Sequence, residues 1–139
     1  MSLYLDASVL VPLVVADALN ERAFALLQGQ PEPLLVSQFA VLEVASALNR
    51  KVRTGDLAAD QCATAKANLD AWRAASAQSA EMTEHDIASA TDLLNDLALN
   101  LRGPDALHLA LVRRLGATIS TFDVGMAEAA RKLGIVVVS

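Results

Sequence analysis

The sequence predicts an α/β fold, a three-layer α/β/α sandwich around a short central parallel sheet, in one domain spanning residues 1–139. Three observations carry this expectation. Short runs that are apolar on both faces, such as Leu3-Tyr4-Leu5 and Leu34-Leu35-Val36, alternate along the chain with segments of helical periodicity. With 139 residues and 54% hydrophobic content, the chain can bury one real core but not two. Its apolar surface is mostly Ala, Leu and Val, with 4% aromatics, which suits helices packed on short strands and disfavours a base-stacking platform for single strands.

Leu3 to Asp6 is read as a buried strand entering a helix at Ser8-Val9-Leu10, with Pro12 in that helix's first turn. Ala18 to Gln28 has helical apolar spacing and is closed by Gly29, Pro31 and Pro33. Leu34 to Val36 is a second strand, and Ser37 is the N-cap of a long helix that stops at Thr54-Gly55. The Ala-rich stretch from Leu57 to about Ala80 reads as one helix, followed by a short strand at Glu81-Met82. Thr83 and Asp86 have capping-box spacing for a helix to about Leu99. Pro104 opens a helix that Gly116 ends; Ala117 to Thr121 is a strand, Val124 to Leu133 a helix and Ile135 to Val138 the last strand.

Four acids stand where solubility would not put them. Asp6, Glu43, Asp105 and Asp123 each interrupt or end an apolar run, in Leu3-Tyr4-Leu5-Asp6, Ala40-Val41-Leu42-Glu43-Val44, Pro104-Asp105-Ala106-Leu107 and Ile119-Ser120-Thr121-Phe122-Asp123. A lone carboxylate withdrawn from water tends to neutralise, whereas several around a divalent cation stay ionised. Asp6 and Asp123 end strands, where the ligand crevice of an open parallel sheet lies. Taken singly, Asp6, Asp105 and Asp123 are also ordinary helix-start residues; the four together are harder to explain that way. Oxygen ligands without cysteine select a hard cation, Mg²⁺ or Mn²⁺, and the matching chemistry is phosphodiester hydrolysis by a metal-activated water.

Other features exclude alternatives. The single cysteine, Cys62, has no partner for a disulfide and no neighbour at zinc spacing. No leader-like segment opens the chain and Ala7 to Ala16, free of charge, falls well short of the roughly 20 residues of a membrane span, so the expected location is cytoplasmic, with no membrane contact. The net charge of −5 argues against nucleic acid at first sight, but setting the four special carboxylates aside leaves the rest near neutral, with basic clusters at Arg50, Lys51, Arg53 and at Arg113, Arg114. A receiver-like phosphoacceptor would need a lysine after its last strand, where the chain ends Val136-Val137-Val138-Ser139. An Asp-x-Asp phosphatase would need an acid at Ser8.

In order, Tyr4-Leu5-Asp6-Ala7-Ser8-Val9-Leu10-Val11, Glu43-Val44-Ala45-Ser46-Ala47-Leu48, Asp105-Ala106-Leu107-His108-Leu109-Ala110 and Ser120-Thr121-Phe122-Asp123 closely resemble the PIN-domain nucleases, specifically the VapC-type toxins of bacterial toxin–antitoxin pairs. The resemblance covers nearly the whole chain. It implies a PIN-like fold and a Mg²⁺-dependent endoribonuclease that cuts cellular RNA, held inactive by a cognate VapB-type antitoxin. By position, Asp6, Glu43, Asp105 and Asp123 match the family's metal-site acids, and Ser8 and Thr121 its small hydroxyls. Arg50 and Lys51, which follow the Glu43 helix, are the candidate RNA contacts. Members often carry a basic or polar residue after the fourth acid, where this chain has Val124-Gly125. His108, three residues after Asp105 on an apolar helix, is read as core or as packing behind the ligands, and Asp92 and Asp96 as solvated. Leu69 and Trp72, with the segment Ala16 to Leu27, read as surplus apolar surface for a homodimer face and an antitoxin groove. The competing reading is a domain of the same fold that binds RNA or protein without cutting.

Overall fold

Strand pairing fixes where the carboxyl edge of the sheet lies. In the computed structural model, which describes residues 1–139, β1 (Leu3–Leu5) pairs on one side with β2 (Leu34–Val36) and on the other with β4 (Thr118–Ser120), in each case parallel. Leu3 stands opposite both Leu34 and Thr118. Outside these run β3 (Ala77–Ser79) beside β2 and β5 (Val137–Val138) beside β4, so all five strands are parallel in the order β3-β2-β1-β4-β5. The chain winds outward in opposite directions from the central strand, and the switch point falls between β1 and β4.

Parallel strands need crossovers, and the crossovers are helices. These are α1 (Ala7–Val14), α2 (Asn20–Gln28), α3 (Gln38–Arg53), α4 (Ala59–Ser76), α5 (Glu84–Leu94), α6 (Gly103–Leu115) and α7 (Val124–Lys132), with a 3-10 turn at Leu97–Leu99. Alternation along the strands divides the core into two layers. Tyr4, Leu35 and Ile119 face α5, α6 and α7, while Leu3, Leu5 and Val36 face α1, α3 and α4. The expected three-layer sandwich is what forms.

Capping follows the sequence closely. The Ser37 hydroxyl accepts from the Ala40 N–H, Thr83 and Asp86 cap each other at the start of α5, and Gly116 ends α6 at a φ of 62° that a side chain would strain.

Four expectations need correction. The third strand is Ala77–Ser79, not Glu81-Met82: the run Ala74-Ala75-Ser76-Ala77-Gln78-Ser79 holds no Gly or Pro, so composition continues the helix, but pairing with β2 pulls the last three residues into the sheet edge. Pro12 lies deep in α1 rather than in its first turn, because Asp6 itself is the cap and starts the helix early. Asn20 Nδ2 then closes the end of α1 by donating to the carbonyls of Pro12 and Val15. The helix from Thr83 ends at Leu94, not Leu99, and the chain continues through the 3-10 turn that Asp96 caps. Leu69 is buried against α1 and α3 with Trp72 packed beside it, so neither is surplus surface. The exposed large apolar side chains are Phe24, inside the expected segment Ala16 to Leu27, and Leu42, Ile87, Leu94 and Leu97, among others. Cys62 is buried, beside Asn49. No helix is long and apolar enough to cross a membrane.

Candidate active site

The carboxyl edge of β1 and β4 is built by helix starts. Asp6 follows β1 and caps α1; Asp123 follows β4 by three residues and caps α7 through its Oδ1 and the Met126 N–H; Asp105 is in the first turn of α6; Glu43 is in the second turn of α3. Each helix presents its positive dipole end and unpaired N–H groups to this edge, which favours anionic side chains there.

Asp6 is 3% exposed, and three donors hold its carboxylate. Oδ1 accepts from Ser8 N at 3.1 Å and from Ser8 Oγ at 2.6 Å, and Oδ2 accepts from Thr121 Oγ1 at 2.6 Å. The same hydroxyls clamp the other strand end. Phe122 N donates to Ser8 Oγ at 2.8 Å, and Asp123 N donates to Thr121 Oγ1 at 3.1 Å. Burial pushes the Asp6 carboxyl above its ordinary value, against the hydrogen bonds from Ser8 and Thr121 that pull it down. The expected small hydroxyls thus act on the Asp6 carboxylate directly.

Asp105 is also pushed up, first by burial and then by repulsion from the Asp123 carboxylate, with Arg102 at 3.7 Å partly offsetting both. The Asp123 carboxylate makes ionisation of Asp105 more costly, a cost that a cation between them would relieve. Glu43 is about one-third exposed, and its Oε1 is bonded to His108 Nε2. The other ring nitrogen, Nδ1, is 2.6 Å from the Tyr4 hydroxyl, which lies 2.7 Å from Ser37 Oγ. Both imidazole nitrogens are therefore occupied and neither is free to ligate. The donor set at this edge is oxygen only, which fits a hard divalent cation. No three His, Cys, Asp or Glu side chains stand in direct-ligation geometry.

The buried partners of His108 were only partly legible in the sequence. The sequence puts His108 in the core or behind the ligands without naming a partner for its ring; the signal for one is Tyr4, the only tyrosine of the chain, which inside an apolar strand must find a partner for its hydroxyl. Arg50 and Lys51 sit in the last turns of α3, seven and eight residues beyond Glu43, about 10 Å along the axis. A closer cation is Arg22 on α2, whose guanidinium lies 4.7 Å from the centre of the Phe122 ring. It borders a cleft of about 150 Å³ that Thr121, Asp123 and Arg131 also line. Neither Arg22 nor Arg131 takes part in an ion pair. No sequence pattern points to Arg22, because α2 is remote in the chain from Asp123, the acid whose cleft it borders. Arg114, by contrast, is committed elsewhere: it grips the buried Asp86 through Nε at 2.7 Å and Nη2 at 3.0 Å. The cluster Arg113, Arg114 is therefore one cation outside any ion pair and one committed to a structural pair. Asp92 and Asp96 are exposed, as expected, although Asp96 lies beyond the end of α5.

Comparison with known proteins gives the family and the fold. Residues 3–132 match the PIN domain family. Over 141 aligned residues the chain is 31% identical to ribonuclease VapC46 of Mycobacterium tuberculosis, covering 99% of this chain and 97% of that protein. Among solved structures, it is similar to M. tuberculosis VapC20, a toxin that cleaves the sarcin-ricin loop, with a TM-score of 0.73, 21% identity, and 91% and 94% of the two chains covered. It is also similar to VapBC2 of Rickettsia felis, solved on a DNA fragment from its promoter, with a TM-score of 0.68, 12% identity, and 99% and 97% covered. The ordered acids, the strand-order switch that gathers their helix starts and the near full-length match lead to one assignment: this chain belongs to the PIN-domain family and, within it, to the VapC-type ribonuclease toxins.

Proposed function

We propose that this chain is a Mg²⁺-dependent endoribonuclease, Mn²⁺ serving as a substitute, that hydrolyses a phosphodiester of a cellular RNA and is inhibited by a cognate VapB-type antitoxin. The observation that carries the reading is the oxygen-only donor set of Asp6, Glu43, Asp105 and Asp123 at one sheet edge, where burial, joined at Asp105 by repulsion from Asp123, leaves Asp6 and Asp105 short of counter-charge. A divalent cation bound there would supply that charge, together with the chemistry of polarising a phosphate oxygen and activating water. Asp6, Glu43, Asp105 and Asp123 are the residues that would hold it, as oxygen ligands of the kind that Mg²⁺ takes. Ser8 and Thr121 keep the Asp6 carboxylate aimed. Arg22 and, further along α3, Arg50 and Lys51 offer charge to the RNA backbone.

The reading predicts discrete cuts when the antitoxin-free protein meets total tRNA and rRNA with Mg²⁺, lost in chelator and in Asp6→Asn. Uncut RNA with Mg²⁺ binding intact in every substrate pool would favour a binding-only domain. Arg22→Ala should raise KM several-fold while leaving kcat nearly unchanged, since a phosphate contact away from the reacting bond contributes uniform binding; an unchanged KM would remove Arg22 from the RNA path. A homodimer is part of the proposal, together with an antitoxin seated near the site, where Leu42, next to Glu43, is 63% exposed. Light scattering of the free toxin, and of the toxin with its antitoxin, tests both.

A further inference from the structure

We propose that His108 is a positioning residue that locks the Glu43 carboxylate through a one-way hydrogen-bond chain, Ser37 to Tyr4 to His108 to Glu43, anchored on a backbone amide of α3. The inference rests on Glu43 being one of the cation-holding acids. Its ground is a count of hydrogens in a place without water. Ser37 and Tyr4 are fully buried and His108 is 1% exposed. Buried polar groups of this kind must satisfy one another.

Ser37 Oγ accepts from Ala40 N–H at 3.0 Å, so its own hydrogen is left to donate, and the Tyr4 oxygen at 2.7 Å is the acceptor within reach. The Tyr4 hydrogen then points to His108 Nδ1 at 2.6 Å, which must be the bare nitrogen. The ring hydrogen is consequently on Nε2, directed at Glu43 Oε1. Every hydrogen in the chain has an acceptor. The reverse direction, with both ring nitrogens protonated, would send the Tyr4 hydrogen to Ser37 and leave the Ser37 hydrogen with nowhere to go. The start of α3 therefore dictates the tautomer of a ring on α6.

The path also crosses the sheet. Tyr4 belongs to the layer of α5 to α7, while α3 packs in the opposite layer, and the chain joins them over the end of β1. Phe39 packs on the ring, with centroids 5.1 Å apart, and holds it from a further side. One Glu43 oxygen is thus fixed by a neutral donor while Oε2 makes no hydrogen bond within the protein and remains available to a cation or its water. Partners of this kind behind a ligand set its orientation, and losing them commonly weakens metal binding by about 10–100-fold.

The test is Mn²⁺ titration followed by electron paramagnetic resonance on the whole protein, together with ¹⁵N spectra of the His108 ring. Glutamine places its amide nitrogen near the site of Nε2 and can still donate, whereas leucine cannot. His108→Leu should weaken Mn²⁺ binding by about 10–100-fold and His108→Gln should recover most of it. Tyr4→Phe, which spares the ring, should convert a single Nε2–H tautomer into a mixture. Since leucine also leaves the Tyr4 hydroxyl unpaired, the glutamine and phenylalanine variants keep the test decisive if the leucine variant does not fold. Binding in His108→Gln as weak as in a folded His108→Leu, an Nδ1–H tautomer in the native protein, or native affinity in His108→Leu would each overturn the proposal. Glu43→Gln separates the two levels: native Mn²⁺ affinity in that variant sinks the metal role of Glu43 itself, while lost affinity there beside native affinity in His108→Leu sinks only the positioning chain.

Discussion

Asp6→Asn is expected to lower RNA cleavage by about 100- to 1,000-fold, the loss typical of removing one pre-organised charged or polar group from a reaction centre, and to leave the fold intact. The second half follows from the hydrogen bonds. Asn is as good an N-cap as Asp, so the start of α1 keeps its partner, with the amide oxygen still accepting from Ser8 N and Oγ. The new Nδ2 faces Thr121 Oγ1, now as a donor, and the Thr121 hydroxyl turns toward Ser8 Oγ at 3.2 Å. Stability should respond in the opposite sense to activity. Because burial raises the folded-state value of the Asp6 carboxyl, its contribution is fully present below the ordinary carboxylate range near pH ~4 and is lost as pH rises through the folded value. Toward neutral pH in chelator the native protein therefore loses a contribution that Asp6→Asn, with no ionisable group there, does not lose, and the variant should melt at the same or a higher temperature. Mg²⁺ should raise the melting temperature of the native protein and move that of the variant little, since a ligand of the folded state alone stabilises it. Mg²⁺-dependent cleavage by Asp6→Asn would remove Asp6 from the metal site.

The same residues show what a sequence can and cannot disclose. Asp6, Glu43, Asp105 and Asp123 were legible because each breaks an apolar run, and a carboxylate in such a place demands a reason. Ser37, Thr83 and Gly116 were legible because caps are local chemistry, set within three or four residues. The strand at Ala77–Ser79 was not, because nothing in Ala-rich sequence stops a helix; only β2, 43 residues earlier, makes it a strand. Arg22 and the Tyr4 to Glu43 chain were hidden for the same reason. They join residues 100 or more positions apart in the case of Arg22 with Phe122 and of Tyr4 with His108, through contacts that exist only after the two helical layers close over the sheet. Arg113-Arg114 illustrates the reverse error, in which adjacent identical residues suggest one patch while the fold separates their roles.

That separation makes Arg114→Ala the substitution with the largest expected effect on stability. Asp86 is wholly buried, and besides the two bonds from Arg114 it accepts from Thr83 N at 2.8 Å. Arg114 extends the clamp by donating from Nη2 to the Glu81 carbonyl at 2.7 Å, tying α6 to the turn before α5. Removing one partner of a buried pair typically costs 3–5 kcal/mol, and because the Arg114 side chain is 34% exposed and water can partly replace it, about 2–3 kcal/mol is expected here. For a chain of this size that is a fall of roughly 6–12 °C in melting temperature. Arg114 holds the Asp86 carboxyl below the ordinary range, so the stabilisation is present above pH ~4 and is lost as pH falls through the depressed folded-state value. The gap between native and variant should therefore be full at neutral pH and narrow in acid. Adding Asp86→Asn to Arg114→Ala removes the stranded charge and should recover much of the loss, a coupling that two independent sites would not show. Cleavage per folded molecule should stay near native well below the melting temperature. A variant that melts normally but binds RNA more weakly would instead make Arg114 a substrate contact and restore the basic patch that adjacency in the sequence implies.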